Sequence, residues 1–263
     1  MATRNDATYE RRTGWGFWLG RCLLAAMAVG SIAWGAACLP IFLNQIRLDA
    51  TKDLILRNVA LSDNELKGLL PLLDRAAARE GCIPAIDRSS AIIRLHMLDN
   101  SLTPESQALV DDRMDGLDVA LRKSLSCAPA DPYLWLALFW LRNTRDGFST
   151  PNLDLLRMSY LVGPNEGWVV LKRSHIALAM FDGLPRDLAD EAIAEFARLV
   201  KSELYTEAME ILSGPGWPHR DRLMAALASV PPRNVVILVK AMADTGYDLD
   251  ALSAAERRNR ERP

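Results

Sequence analysis

Leu121-Arg122-Lys123-Ser124-Leu125-Ser126-Cys127-Ala128-Pro129-Ala130-Asp131-Pro132-Tyr133 returns, 35 residues later, as Leu156-Arg157-Met158-Ser159-Tyr160-Leu161-Val162-Gly163-Pro164-Asn165-Glu166-Gly167-Trp168. Leu, Arg, Ser, Pro and an aromatic keep their places, each time at the end of one apolar helix, a Pro turn and the start of the next. A period near 34 in a helical context is the signature of stacked helix-turn-helix units. One such pair cannot bury its apolar face alone and needs a neighbour. The stretch therefore predicts an all-α chain whose central part is a helical repeat.

Outward from that stretch, helix signals follow one another. Ser62 and Glu65 have the spacing of a capping box, and Pro71 predicts a break inside the apolar stretch Leu66, Leu69, Leu70 and Leu73, giving two shorter pieces in place of one straight helix. A helix is expected over 85–98 and another opening at Thr103-Pro104-Glu105, with Val110, Met114, Leu117, Leu121 and Leu125 as its inward stripe. Asp131-Pro132 and Thr150-Pro151 repeat the start signal, giving helices over 132–142 and 151–162, and Pro164 allows one to about Met180. Helices over 187–200, 203–212, 220–230 and 234–245 complete the set, with Gly246 closing the last. No alternating apolar-polar stretch long enough for a sheet occurs.

Composition agrees with a packed protein: 50% of the 263 residues are hydrophobic and 7% aromatic. The net charge of -2 supplies no basic field for nucleic acid. Cys22–Leu43 is 22 residues without a charge, about 33 Å of helix, enough for a bilayer core. Arg4, Arg11, Arg12 and Arg21 precede it, with Trp15, Phe17 and Trp18 as a belt. Positive charge on the short side places the N-terminus in the cytoplasm and the rest across the membrane, in a bacterium the periplasm. A cleaved signal peptide is the competing reading; the run exceeds a usual signal core, and Leu39–Leu43 continues past the small-residue sites. The domains expected are a cytoplasmic segment 1–21, a single-pass anchor 22–43, a polar stalk 44–61, a helical domain 62–252 and a disordered tail 253–263, rich in arginine.

Candidate chemistry is sparse. His96, His175 and His219 have no His or Cys three or four residues away, so no helix presents a zinc-type pair. His96 reads as a packed core imidazole, and His175 and His219 as members of exposed polar faces. Asp111, Asp112 and Asp115 read as a solvated helix face. Neither a phosphate-cradling glycine loop nor a Gly-x-Ser-x-Gly elbow occurs. The expectation is no enzyme, no catalytic residue, no metal and no cofactor. Two patches suggest binding instead. Trp135 and Phe139 read as core, while Tyr133 and Trp168 stand at helix starts where a concave rim would form. Arg142, Arg145, Arg157, Lys172 and Arg173 make a basic patch for anionic glycan or lipid headgroups. Cys22 and Cys38 lie in the anchor; Cys82 and Cys127 lie in the exported part before Pro turns. An oxidising compartment allows a disulfide between them, and two buried thiols are the alternative.

The central repeat resembles the tetratricopeptide repeat over roughly Asp112 to Met180. Trp135 and Leu138 fall where that repeat opens its first helix, and Pro129 and Pro164 at its closing turn. Phe139 stands where Gly is usual and Leu117 where Ala is usual, which loosens or rearranges the close approach of helices. The anchor, Cys82-Ile83-Pro84, the Ala128–Trp140 turn and helix, Met158-Ser159 to Gly163-Pro164, and Pro231-Pro232-Arg233 together look like VpsP, a family of small polysaccharide-biosynthesis membrane proteins. That resemblance implies a membrane-anchored periplasmic scaffold accessory to exopolysaccharide or O-antigen biosynthesis and export. Its implied partners are the inner membrane, proteins of the synthesis and export complex, and glycan. A periplasmic glycan-binding module is the alternative, and a glycan-processing enzyme a third reading.

Overall fold

The computed structural model describes residues 14–99, 107–247 and 249. The expected cytoplasmic arginines Arg4, Arg11 and Arg12, the helix start at Thr103-Pro104-Glu105 and the tail 253–263 lie outside them, as do the side chains of Trp15 and Phe17. Every regular element among the described residues is helical. The chain divides into two compact units, Met1–Met97 and Leu98–Pro263.

The first unit is dominated by α1 (Gly14–Leu56), a single helix of 43 residues that continues through Pro40. Its apolar side chains from Trp18 to Ile46 stay uncovered. Past Arg47 its character changes: Leu48 is buried among Leu66, Leu69, Leu72, Leu73, Ile86, Ile93 and Met97. Apart from Leu69, which caps α3, these come from α2 (Asp63–Lys67), α3 (Leu70–Ala78) and α4 (Pro84–Asp99). The break that Pro71 predicts is present, α3 carrying that proline in its first turn. Ser62 and Glu65 form the reciprocal capping box that opens α2. Asp87 is buried and accepts from the Ile83 backbone N–H at 3.0 Å and from Arg79 Nη2 at 2.9 Å, fixing the start of α4. Within the segment expected as a polar stalk, 44–61, the helix continues to Leu56 and one residue, Leu48, is buried. Its helix runs into the core of the first unit, because Leu48 faces the same side as the apolar stripes of α3 and α4.

The second unit contains α5 (Gln107–Cys127), α6 (Pro132–Asp146), α7 (Thr150–Val162), α8 (Gly167–Ala179), α9 (Arg186–Lys201), α10 (Tyr205–Ser213), α11 (Arg220–Ala226) and α12 (Pro232–Asp244). Short 3-10 turns at Phe181–Gly183, Trp217–His219 and Leu227–Ser229 link the later helices. α6 packs on α5, α7 and α8; α9 packs on α8, α10, α11 and α12. Met114, Leu117, Leu121 and Leu125 are buried as the stripe of α5 requires. A second core joins α8 to α12 through Ala177, Leu178, Phe196, Val200, Ile211, Leu212, Leu223, Leu238 and Met242. Asn234 closes the end of α9, its Nδ2 donating to the Val200 and Lys201 carbonyls at 3.2 Å each. Gly246, at φ +92°, adopts the left-handed conformation that ends α12.

Candidate functional site

The repeated motif brings its two copies into contact. Asp131 caps α6, accepting the backbone N–H groups of Tyr133 at 3.1 Å and Leu134 at 3.2 Å, and so sets Tyr133 in the first turn. Trp168 occupies the matching place in α8. The two rings lie 4.7 Å apart between centroids, inclined at 50°, a favourable tilted geometry. Their exposure differs: Tyr133 is buried at 9%, whereas Trp168 keeps 40% of its surface. Tyr133 is thus not a rim residue; it is the support beneath one. Below them Trp135 is half-buried, its Nε1 donating to the Pro129 carbonyl at 2.7 Å, and Phe139 is fully buried.

The basic patch does not survive as a free field. Arg142 Nη2 donates to Asp118 Oδ1 at 2.6 Å, and Arg145 Nη1 to Asp115 Oδ1 at 2.5 Å, both joining α6 to α5. Arg157 on α7 donates through Nε to Asp187 Oδ2 at 2.7 Å on α9 and through Nη1 to Asp154 Oδ1 at 2.8 Å. The Arg157 hydrogen bond holds the Asp187 carboxyl below the usual carboxylate range. Lys172 is exposed. Arg173, read from sequence as a surface cation, is fully buried. The physical reason is register: Arg173 stands 35 residues after Leu138, a buried position of the first copy.

Arg173 is the centre of the most concentrated polar site among the described residues. Its Nε donates to Glu195 Oε1 at 3.0 Å and Nη2 donates to the same oxygen. Nη1 donates to the Ser159 carbonyl at 2.7 Å and Oγ at 3.1 Å, and Nη2 to the Gly163 carbonyl at 3.1 Å. Ser174 Oγ donates to Glu195 Oε2 at 3.0 Å, and Ser159 Oγ to the Pro132 carbonyl at 2.8 Å. The guanidinium lies 4.2 Å above the Tyr160 ring. Burial pushes the Glu195 carboxyl up, against the hydrogen bond from Arg173 that pulls it down. Burial likewise raises the Tyr160 hydroxyl. Four helices, α6 to α9, are tied by this one node.

The sequence reading missed this node, although two signals could have found it. Glu195 falls on the inward stripe Leu188, Ala192, Phe196, Leu199, and Arg173 falls on an inward repeat position; a buried acid and a buried base call for each other.

The remaining candidates are dispersed. His96 is half-buried rather than a core imidazole. His175 is half-buried, 3.7 Å from Glu210 Oε1. His219 is also half-buried, its ring 4.5 Å from Phe181 and its Nδ1 3.8 Å from Asp182. Asp111, Asp112 and Asp115 lie exposed along α5, with Asp115 committed to Arg145. Cys22 and Cys38 are free, and Cys82 and Cys127 are disulfide-bonded, so the reading of two buried thiols is set aside. No family model, curated protein or solved structure matches the chain, which leaves residue geometry to carry the functional reading.

Proposed function

We propose that the chain is a membrane-tethered helical scaffold whose body stands on the periplasmic side of a bacterial inner membrane, where it serves polysaccharide biosynthesis and export. The observation that carries the tether is α1: a nearly continuous uncovered apolar surface from Trp18 to Ile46 on one helix, whereas the other described helices bury most of their apolar residues. Water does not leave such a surface bare, and a bilayer of about 30 Å fits its length. The disulfide-bonded state of Cys82 and Cys127 suits an oxidising compartment. The arginines before the apolar run suit a cytoplasmic N-terminus.

The body reads as a tetratricopeptide-like stack in which α6 and α7 form one pair and α8 adds to α6. Packing of α6 on both α7 and α8, and contact between Tyr133 and Trp168, support that reading. A scaffold role follows from what the polar groups do. The Arg142, Arg145 and Arg157 ion pairs and the Arg173–Glu195 node spend their hydrogen bonds between helices, which stiffens a platform and leaves none of these four arginines free for chemistry. A glycan-binding module is the second reading, favoured by Trp168, an exposed ring backed by Tyr133 with exposed Lys172 one turn further on.

A reporter active only outside the cytoplasm, fused after residue 263, gives signal under this proposal; activity only of a cytoplasmic reporter overturns it. In-cell crosslinking from an azide-bearing residue at Trp168 then separates the two readings, since a scaffold is captured with protein and a glycan module with polymer.

A further inference from the structure

The membrane reading above fixes where the apolar run lies; the packing of α1 against the rest of the first unit fixes what happens at its edge. Arg21 and Arg47 are the charged residues bounding the uncharged stretch. They stand 26 helical steps apart, about 39 Å at 1.5 Å per residue. A bilayer with both headgroup layers measures about 40–45 Å, its hydrocarbon core about 30 Å. The two guanidinium groups therefore reach the two phosphate levels at once. Arg47 is exposed, as a residue meeting headgroups needs to be.

The residue after Arg47 is already inside the protein. Leu48 is 1% exposed, packed on Leu66, Leu69, Leu73 and Ile86. Asn44 and Gln45, on the membrane side of Arg47, are already half-buried. Leu43 to Leu48 is about 7.5 Å of helix, the depth of one headgroup layer. No turn of bare helix is left for a spacer. Rotation about the join is opposed as well. Ser89 Oγ, on α4, donates to Asp49 Oδ1 on α1 at 2.6 Å; α1 itself continues unbroken to Leu56.

We infer that the first unit is seated in the lipid headgroup layer at the C-terminal end of the span, with Arg47 on lipid phosphates and Leu48, Asp49 and Ser89 locking the unit to its own membrane helix. The inference rests on the membrane reading of α1 and adds to it a lipid contact and a rigid join. A helical body more than 10 Å across cannot surround Asn44 to Leu48 without its flank entering the headgroups. The partner is the phosphate of bilayer lipids, and the site that meets it is the collar around residues 44–47.

The test uses the full chain with Cys22→Ala and Cys38→Ala, reconstituted in phosphatidylethanolamine–phosphatidylglycerol vesicles. Nitroxide labels are placed through Arg47→Cys or, ten residues further along α1, Arg57→Cys. An alkaline carbonate wash comes first. Protein released by the wash overturns the membrane reading and this inference together. With protein retained, the label at 47 is expected to be immobilised and several-fold less accessible to a water-soluble nickel chelate than the label at 57. Equal accessibility at both positions, or free mobility at 47, overturns the seating while leaving the anchor intact. Leu48→Ala supplies the join's own readout: the label at 47 becomes more mobile with the wash result unchanged. No gain in mobility shows that Leu48 does not lock the unit and overturns that part.

Discussion

Arg173 shows how one residue can redirect a repeat. In the first copy of the motif the equivalent position is Leu138, and its neighbour Phe139 becomes Ser174 in the second; all four are buried. A guanidinium at a leucine position survives only because Glu195, Ser159 and Gly163 meet its donors. Arg173→Leu restores the apolar residue of the first copy but strands the Glu195 carboxylate. It is expected to lose about 3–5 kcal/mol in urea unfolding of the full chain in detergent. Arg173→Leu combined with Glu195→Leu is expected to recover most of that loss, which distinguishes a stranded charge from a cavity. The pH dependence has a definite sign. Burial raises the folded-state pKa of Glu195 above its unfolded value, so its contribution to stability is full below the unfolded value and is lost as pH rises through the folded one. Glu195→Gln should remove that component from the stability–pH curve; an unchanged slope would show that the carboxyl does not titrate as its burial requires.

Among the elements, the turn between α7 and α8 is the most constrained. A Cβ on Gly163 would lie 2.3 Å from Pro132 Cγ, inside the start of α6, and the Gly163 carbonyl also receives Arg173. Gly163→Ala must push α6 and α7 apart and is expected to destabilise by about 1–3 kcal/mol, read as a lower urea midpoint. Gly167→Ala, four residues on with open space around it, is the control and should shift the midpoint little. Exposed joints behave differently. Arg157 and Asp187 bridge α7 to α9, and the hydrogen bond lowers the Asp187 pKa. Its contribution is therefore present above the unfolded pKa and lost as pH falls through the folded one. Screening by salt should weaken it, whereas the Arg173 node is insensitive.

These elements also show what a sequence exposes. Helix positions followed from caps and prolines: Asp131-Pro132 opens α6 and Ser62 with Glu65 opens α2 as their local chemistry dictates. Those signals act within a few residues, so spacing alone reveals them. The surface did not follow. Arg142, Arg145 and Arg157 form a patch on paper because their partners Asp118, Asp115 and Asp187 lie 24 to 30 residues away. Pairing over that distance depends on how helices stack, which apolar periodicity does not specify. Helix α1 is present as its apolar run predicts, but the burial of Leu48 within the stretch expected as stalk was not legible, because contact with α3 and α4 is what gives that residue its role.

At the scale of the molecule, two cores answer to two tasks. The second core holds α8 to α12 together, while the first has α1 as one of its walls, through Leu48 with Ile55 packed beside it. The anchor is thus also a structural member of the unit it anchors. This predicts a boundary for truncation. A chain beginning at Asn44 discards the uncovered apolar run but keeps Leu48, Asp49 and the Ser89 hydrogen bond; it is expected to dissolve without detergent and to keep its first unit folded. A chain beginning at Lys52 is only eight residues shorter. It opens the first core where Leu48 stood and should lose about 2–5 kcal/mol there. Hydrogen exchange in α3 and α4 would register the difference, with amides at Leu73 and Ile93 protected in the longer chain and exchanging early in the shorter one. Equal protection in both would mean that α1 merely lies against the first unit, and the core would then be closed by α2, α3 and α4 alone.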